Sequence, residues 1–270
     1  MIPPGEIRSA ARRCGVPTST IERDYAQDWL LFGLQGYDLA LKGGTGIRKV
    51  HIPDYRFSDD LDFTMGTVSG LEEVRNDIRR SVASARDGSE IAFEETVAVR
   101  ENRNGFVADI YFPMLLSGAS RIKIKVDLTR PPVESILLPV EGRRMTHSYS
   151  DRCEAVVRSY SLEEIAAEKI RSLFQRTRAR DLYDVYRLAQ GTETDRQAVS
   201  GILEAKFRSK AVTLDIPLFT TKKDDFRVGW KSALRHQIRD LPDFEDVFGK
   251  VLASLESIHS GRFVLDAGGK

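Results

Sequence analysis

The stretch Leu41-Lys42-Gly43-Gly44-Thr45-Gly46-Ile47-Arg48-Lys49, followed by Arg56-Phe57-Ser58-Asp59-Asp60-Leu61-Asp62-Phe63, decides how this chain is read. Leu39 to Leu41 reads as a short buried strand stopped by glycines, and Ile47 to Val50 as a helical turn. From Phe57 to Phe63 the pattern is again that of a strand. Phe57, Asp59, Leu61 and Phe63 fall on one face, and Ser58, Asp60, Asp62 and Thr64 on the other. Asp60 and Asp62, two residues apart, therefore project from the same side. Carboxylates this close raise one another's pKa unless a cation sits with them. Mg²⁺ (or Mn²⁺) suits that place, because it takes carboxylate oxygens together with substrate phosphates. An Asp-x-Asp pair alone is common in loops, but here the pair sits between large apolar residues. The glycines upstream let main-chain amides approach an anion, and the helix start behind them adds a favourable dipole. Neither the Walker A pattern nor the dinucleotide-binding glycine pattern is present. Glycine turn and aspartate pair together read as a triphosphate cradle facing a metal site.

Working outward, residues 5–14 form a short amphipathic helix ending at Gly15, and a hydroxyl of Thr18-Ser19-Thr20 is expected to cap the next, from Ile21 to about Gln35. Gly70 to about Ala85 is another amphipathic helix. Strands are expected at Glu90–Val99, Gly105–Tyr111 and Arg121–Thr129. In the last, Ile122, Ile124, Val126 and Leu128 alternate with Lys123, Lys125, Asp127 and Thr129. If that strand lies beside the first, Asp127 becomes a third carboxylate, and paired metals could activate a hydroxyl and stabilise a leaving pyrophosphate. Pro131-Pro132 is expected to close the sheet region. From Leu162 onward the pattern is helical, through Asp181–Ala189 and most of Asp195–Ser260. The fold class expected is α/β (α+β) with a mixed sheet. Residues 1–140 would form the catalytic domain with amino-terminal helices, and residues 141–270 a mainly helical domain.

The composition sets limits. At 270 residues, 41% hydrophobic and 30% charged, the chain is that of a globular protein with room for a sizeable core. A formal net charge of +1 argues against a surface that is polyanion-binding throughout. Local excess remains: Arg143–Arg180 carries nine Lys/Arg against five Asp/Glu, and Lys206–Arg239 is likewise basic. Cys14 and Cys153 match no metal spacing or disulfide framework, the amino terminus has no signal pattern, and no apolar run would span a bilayer. A cytoplasmic protein with no membrane association is expected. The four histidines form no clustered set for zinc.

The blocks Leu41–Lys49 and Arg56–Thr64 resemble the signature of AbiEii/MenT-type nucleotidyltransferase toxins, within the DNA polymerase β-like superfamily. Ile21-Glu22-Arg23-Asp24-Tyr25 is similar to the family's opening helix. Two further blocks agree, Glu163–Arg171 and Arg180–Tyr186. The resemblance implies a polymerase β-like nucleotidyltransferase core. It also implies that Gly43, Gly44 and Thr45 bind nucleotide phosphates, that Asp60 and Asp62 hold metal, and that Ser58 is a serine beside the site that some relatives phosphorylate. It assigns Lys169 to the triphosphate and Asp181 to a later active-site aspartate. Read from the residues alone, Lys169 could equally be a solvated helix lysine, and Asp181 and Asp184 could pair with Arg178 and Arg180.

The function expected from the two readings together is a toxin of a toxin–antitoxin or abortive-infection system. It would transfer NMP from an NTP to an RNA acceptor, the tRNA 3′ end, and so block translation. A cognate antitoxin protein is the implied partner. Two alternatives stay open at this point: transfer to a small-molecule hydroxyl, and a non-catalytic nucleotide- or partner-binding module.

Overall fold

A computed structural model describes residues 1–118 and 120–260. The chain divides into two compact units. The first comprises Met1–Ser161 with the short return segment His236–Arg239; among the described residues the second comprises Leu162–Arg235 and residues 240–260.

In the first unit, α1 (Pro4–Cys14) ends at Gly15 in the left-handed conformation (φ +64°), a backbone state that glycine adopts at no steric cost. Helix α2 (Thr18–Leu34) is buried nearly all round. It carries no side-chain cap; the Thr20 hydroxyl instead donates to the carbonyl of His236 at 2.8 Å. Next come β1 (Leu39–Lys42), the single turn α3 (Gly43–Gly46), a π-helical turn at Ile47–His51, and β2 (Asp60–Met65). The expected strand from Phe57 thus starts three residues late, because residues 57–59 are taken up in a loop. Helix α4 (Leu71–Ser89) leads to β3 (Ala98–Asn102), β4 (Gly105–Pro113) and β5 (Arg121–Thr129). Of the strand expected over Glu90–Val99, only its last two residues lie in β3. Ile91, Phe93 and Val97 are buried as loop residues instead, an apolar alternation without a ladder.

The sheet does not end at Pro132. Strands β6 (Glu141–Arg144) and β7 (Val156–Ser159) extend it on the far side of β1, giving seven strands in the order β3-β4-β5-β2-β1-β7-β6. β2 runs antiparallel to β1 and parallel to β5, and β7 runs parallel to β1. The mixed α/β class expected from the sequence is the one found. Strands β2 and β5 turn Leu61, Phe63, Ile124 and Val126 into the core with Tyr25, Leu30, Val74 and Ile78 of α2 and α4. Their alternate residues make a polar face.

The second unit is helical: α5 (Leu162–Gln175), α6 (Ala179–Gln190), α7 (Arg196–Arg208), α8 (Ile216–Thr221), α9 (Lys223–Leu234) and α10 (Phe244–His259). Asp195, Asp215 and Asp243 cap α7, α8 and α10 by accepting from their first-turn amides. An aromatic core holds the helices together, with Phe219 stacked on Phe248 at 5.0 Å. Lys206 is fully buried and bonded to Glu164 and, at 3.2 Å, to Glu168.

Candidate active site

The register of three strands assembles the polar face. β1 sets Lys42 opposite Asp62, and β5 sets Lys125 beside Asp60 and Asp127 beside Asp62. Asp60, Asp62 and Asp127, named from sequence, therefore come together on adjacent strands of one unit.

The glycine turn closes against this face. Gly43 has φ +68°, and a Cβ there would stand 2.6 Å from the Asp62 Oδ2. Both the backbone state and the close approach require glycine. A Cβ on Gly44 would lie 2.9 Å from Arg56 Nη2 and 3.0 Å from Ser58 Oγ. So the carboxylate of Asp62, the guanidinium of Arg56 and the hydroxyl of Ser58 all press on the same two residues. Thr45 is buried, and its hydroxyl donates to the carbonyl of Asp60 at 2.5 Å. That bond straps the turn to β2, which leaves main-chain amides of the turn as what it can offer an anion.

Behind the turn lies a buried ion network. Lys49 Nζ is 2.8 Å from Asp24 and 2.5 Å from Asp28, and Arg48 reaches Asp24 at 2.8 Å. His147 bridges Asp28 and Asp151, at 2.9 Å to each, and the Tyr149 hydroxyl donates to Asp24 at 2.8 Å. Burial alone would raise the Asp24 carboxyl, but Lys49 and Arg48 outweigh it and hold it well below the usual carboxylate range. For Asp28 burial prevails and the carboxyl is pushed up. These contacts fix the π-helical turn to α2 and so fix the glycines that precede it.

Lys125 was visible only as one polar residue of an alternating strand, yet its ammonium stands 2.5 Å from Asp127 Oδ2. Burial pulls its pKa down, but Asp127 first, then Asp60 and Asp62, raise it overall. The signal that could have found it is its spacing, two residues from Asp127 on one strand face. Among the described residues no group of three or more His, Cys, Asp or Glu could enclose a metal ion unaided. The donor chemistry still fits a hard divalent cation that draws its remaining oxygens from substrate: Asp60 and Asp62 supply carboxylates beside a glycine turn, and Asp127 is held by a lysine.

The second unit brings together the other two residues named from sequence. Lys169 Nζ lies 2.8 Å from Asp181 Oδ1 and 2.8 Å from Asp184 Oδ2, and Arg176 Nε is 2.7 Å from Asp181 Oδ2. Both aspartates are buried. Lys169 is thus an oriented, mostly buried ammonium rather than a solvated one. Burial would raise the Asp181 carboxyl, but Lys169 and Arg176 hold it far below the ordinary range. A cavity of about 310 Å³ in this unit, lined by Ile170, Val185, Leu188, Val199 and Ile258 together with Arg196 and Lys250, contains none of these groups.

Residues 28–250 match the sequence profile of the AbiEii nucleotidyl transferase toxins of type IV toxin–antitoxin systems. The chain belongs to the AbiEii family. Its fold is similar to that of the MenT4 nucleotidyltransferase toxin of Mycobacterium tuberculosis, with a TM-score of 0.63, 21% identity, and coverage of 97% of this chain and 90% of that one. It is also similar to a nucleotidyltransferase-class protein of H. pylori, with a TM-score of 0.59, 18% identity, and coverage of 90% and 96%. No curated protein matches the sequence. As an AbiEii-family nucleotidyltransferase the chain is a transferase with an NTP as substrate, in a family whose toxins are paired with an antitoxin. Among the described residues no helix is long and apolar enough to cross a membrane.

Proposed function

We propose that this AbiEii-family chain transfers a nucleoside monophosphate from an NTP to the 3′ end of a tRNA, and that the extended tRNA can no longer be aminoacylated, which stops translation. The observation that carries the nucleotidyl-transfer reading is the approach of Asp62 to Gly43, with Asp60 and Asp127 on the same sheet face. Gly43, Gly44 and Thr45 present main-chain amides to the phosphates, and Ser58 borders the same turn. Asp60 and Asp62, with Asp127 once Lys125 lets go of it, are the residues that would hold Mg²⁺ or Mn²⁺. Such an ion, when bound, neutralises charge on the phosphates and lowers the pKa of an attacking hydroxyl. The acceptor oxygen then bonds to the α-phosphorus as the bond to pyrophosphate breaks, and the chain's own contribution is to position and stabilise charge.

The assignment of Lys169 to the triphosphate and of Asp181 to the active site rests on family resemblance. Their geometry supports it to this extent: Asp181 and Asp184 both bond the Lys169 ammonium and so fix its direction. The tRNA acceptor, an antitoxin partner and a cytoplasmic setting likewise follow from the family. The basic excess across Arg143–Arg180 is in keeping with a phosphate backbone as ligand. The purified protein, incubated with each labelled NTP, Mg²⁺ and total tRNA, should place label in the RNA band and release pyrophosphate. Pyrophosphate release without labelled RNA would move the acceptor to a small-molecule hydroxyl. No release with any NTP would sink the enzymatic reading altogether.

A further inference from the structure

We propose that Gln237, far along the chain from the sequence motifs, is a positioning residue that sets the loop Arg56–Asp59 and through it the glycine turn and Asp60. The proposal rests on the nucleotidyl-transfer reading above. His236–Arg239 returns to the first unit between helices α9 and α10 of the second. Gln237 is 1% exposed there, and it grips the loop in three places. Its Oε1 accepts from Arg56 Nη1 at 2.8 Å, its Nε2 donates to Asp59 Oδ2 at 2.6 Å, and its carbonyl accepts from the Phe57 amide at 3.1 Å.

The choice of side chain follows from the partners. A guanidinium can only donate and a carboxylate only accept, so the residue between them needs one acceptor and one donor at opposite ends of a planar group. Glutamine supplies both, and its amide orientation is thereby fixed. Glutamate would keep the Arg56 bond but set two carboxylates against each other at Asp59. The grip transmits to the site in both directions along the loop. Arg56 Nη2 and Ser58 Oγ are the atoms packed on Gly44, and Asp59 precedes Asp60. Asp59 is further tied to Arg23 at 2.7 Å and to His236 at 3.2 Å, while Gln27 Nε2 donates to the Ser58 carbonyl at 3.1 Å. The loop is thus held from α2 on one side and from the return segment on the other.

The test uses Q237A, Q237E and the double variant D59N/Q237E, which exchanges amide and carboxylate and so restores a donor–acceptor pair between the two positions. Steady-state pyrophosphate release is measured per folded molecule, with hydrogen–deuterium exchange of residues 55–60 as a readout independent of turnover. The single variants should lose roughly 10–100-fold in kcat/KM, the range expected when a supporting hydrogen bond to a site is removed. They should also exchange faster over residues 55–60, and the double variant should recover much of both. If Q237A does not fold, Q237E and the double variant decide. Folded single variants with wild-type kcat, KM and exchange would overturn the proposal. A wild-type chain that releases no pyrophosphate would defeat the functional reading instead, and unchanged exchange in the variants would then overturn the positioning role on its own.

Discussion

The two clusters of aspartate, one in each unit, differ in how their charge is met. In the helical unit Asp181 and Asp184 are buried and answered by Lys169 and Arg176, two negative groups against two positive ones. On the sheet face Asp60, Asp62 and Asp127 are only partly buried, with Lys125 bonded to Asp127 and Lys42 opposite Asp62 on β1. The first arrangement is self-sufficient, and a bare removal of either partner leaves a buried charge uncompensated. The second sets three carboxylates on one face beside a glycine turn that admits no side chain. It is therefore the place where an outside cation and a polyphosphate would improve the electrostatics. The same residue type is met by cations of the chain in one unit and, on the proposed reading, by a bound ion in the other.

The widest separation between the clusters should come from Asp60→Ala and Asp62→Ala. Each is expected to lower nucleotidyl transfer on the order of 10⁴-fold, about 5.5 kcal/mol of barrier, the scale seen when a catalytic carboxylate is removed. Thermal stability without divalent metal should hold or rise, since each substitution relieves like-charge repulsion. A folded Asp60→Ala variant with wild-type transfer would end the metal-site assignment. The converse holds for Asp184→Ala, which should destabilise the helical unit by about 3–5 kcal/mol by leaving Lys169 short of a buried partner. Denaturant unfolding measures it, and a loss under about 1 kcal/mol would show that the cluster is not the self-sufficient ion network described here.

Gly43→Ala is a smaller blow aimed at the sheet-face side of the comparison. Placing a Cβ at φ +68° costs about 1–2 kcal/mol in backbone strain alone, and the Asp62 carboxylate must also shift to make room. The expected result is a higher KM for NTP together with a modest fall in melting temperature. Unaltered KM would remove the turn from the phosphate site.

What could be read from the sequence follows the same division. Alternation on Arg121–Thr129 gave that strand to the residue, and the side-by-side placement of Asp62 and Asp127 followed once β2 and β5 were taken as neighbours. Local patterns failed where a tertiary partner decides the outcome. Ile91 and Phe93 look like strand residues because burial in the core demands apolar side chains whether or not a ladder forms. Strands β6 and β7 went unseen because each is four residues long, and β6 is exposed throughout. From the residues alone Lys169 could equally be a solvated lysine, because its buried partners lie on the next helix. Gln237 carries no local signal at all, since its meaning comes from Arg56 and Asp59, about 180 positions away.

The smallest expected effect distinguishes the ion network behind the glycine turn from the one in the helical unit by its response to pH. His147 touches Asp28 of α2 and Asp151, with Lys49, Tyr25 and Tyr149 around them. Burial lowers its pKa, but the bonds to Asp28 and Asp151 prevail and lift it above 6.5. A folded pKa above the unfolded one means that the native state holds the proton more tightly. The stabilisation is therefore whole below the unfolded value and drains away as pH rises through the folded one. Asp28, raised by burial, acts in the same sense, whereas Asp24 and Asp181 are lowered and act only toward acid, where their contributions are lost as pH falls. Unfolding of the sheet unit should accordingly become easier as pH rises from about 6.5 through the His147 folded value, with a slope of at most about 1.4 kcal/mol per pH unit in that interval. His147→Gln should flatten that slope, and the helical unit should show none over the same interval. An equal slope in wild type and His147→Gln would mean that the imidazole is not charged in the native chain, and the two networks would then differ in burial only.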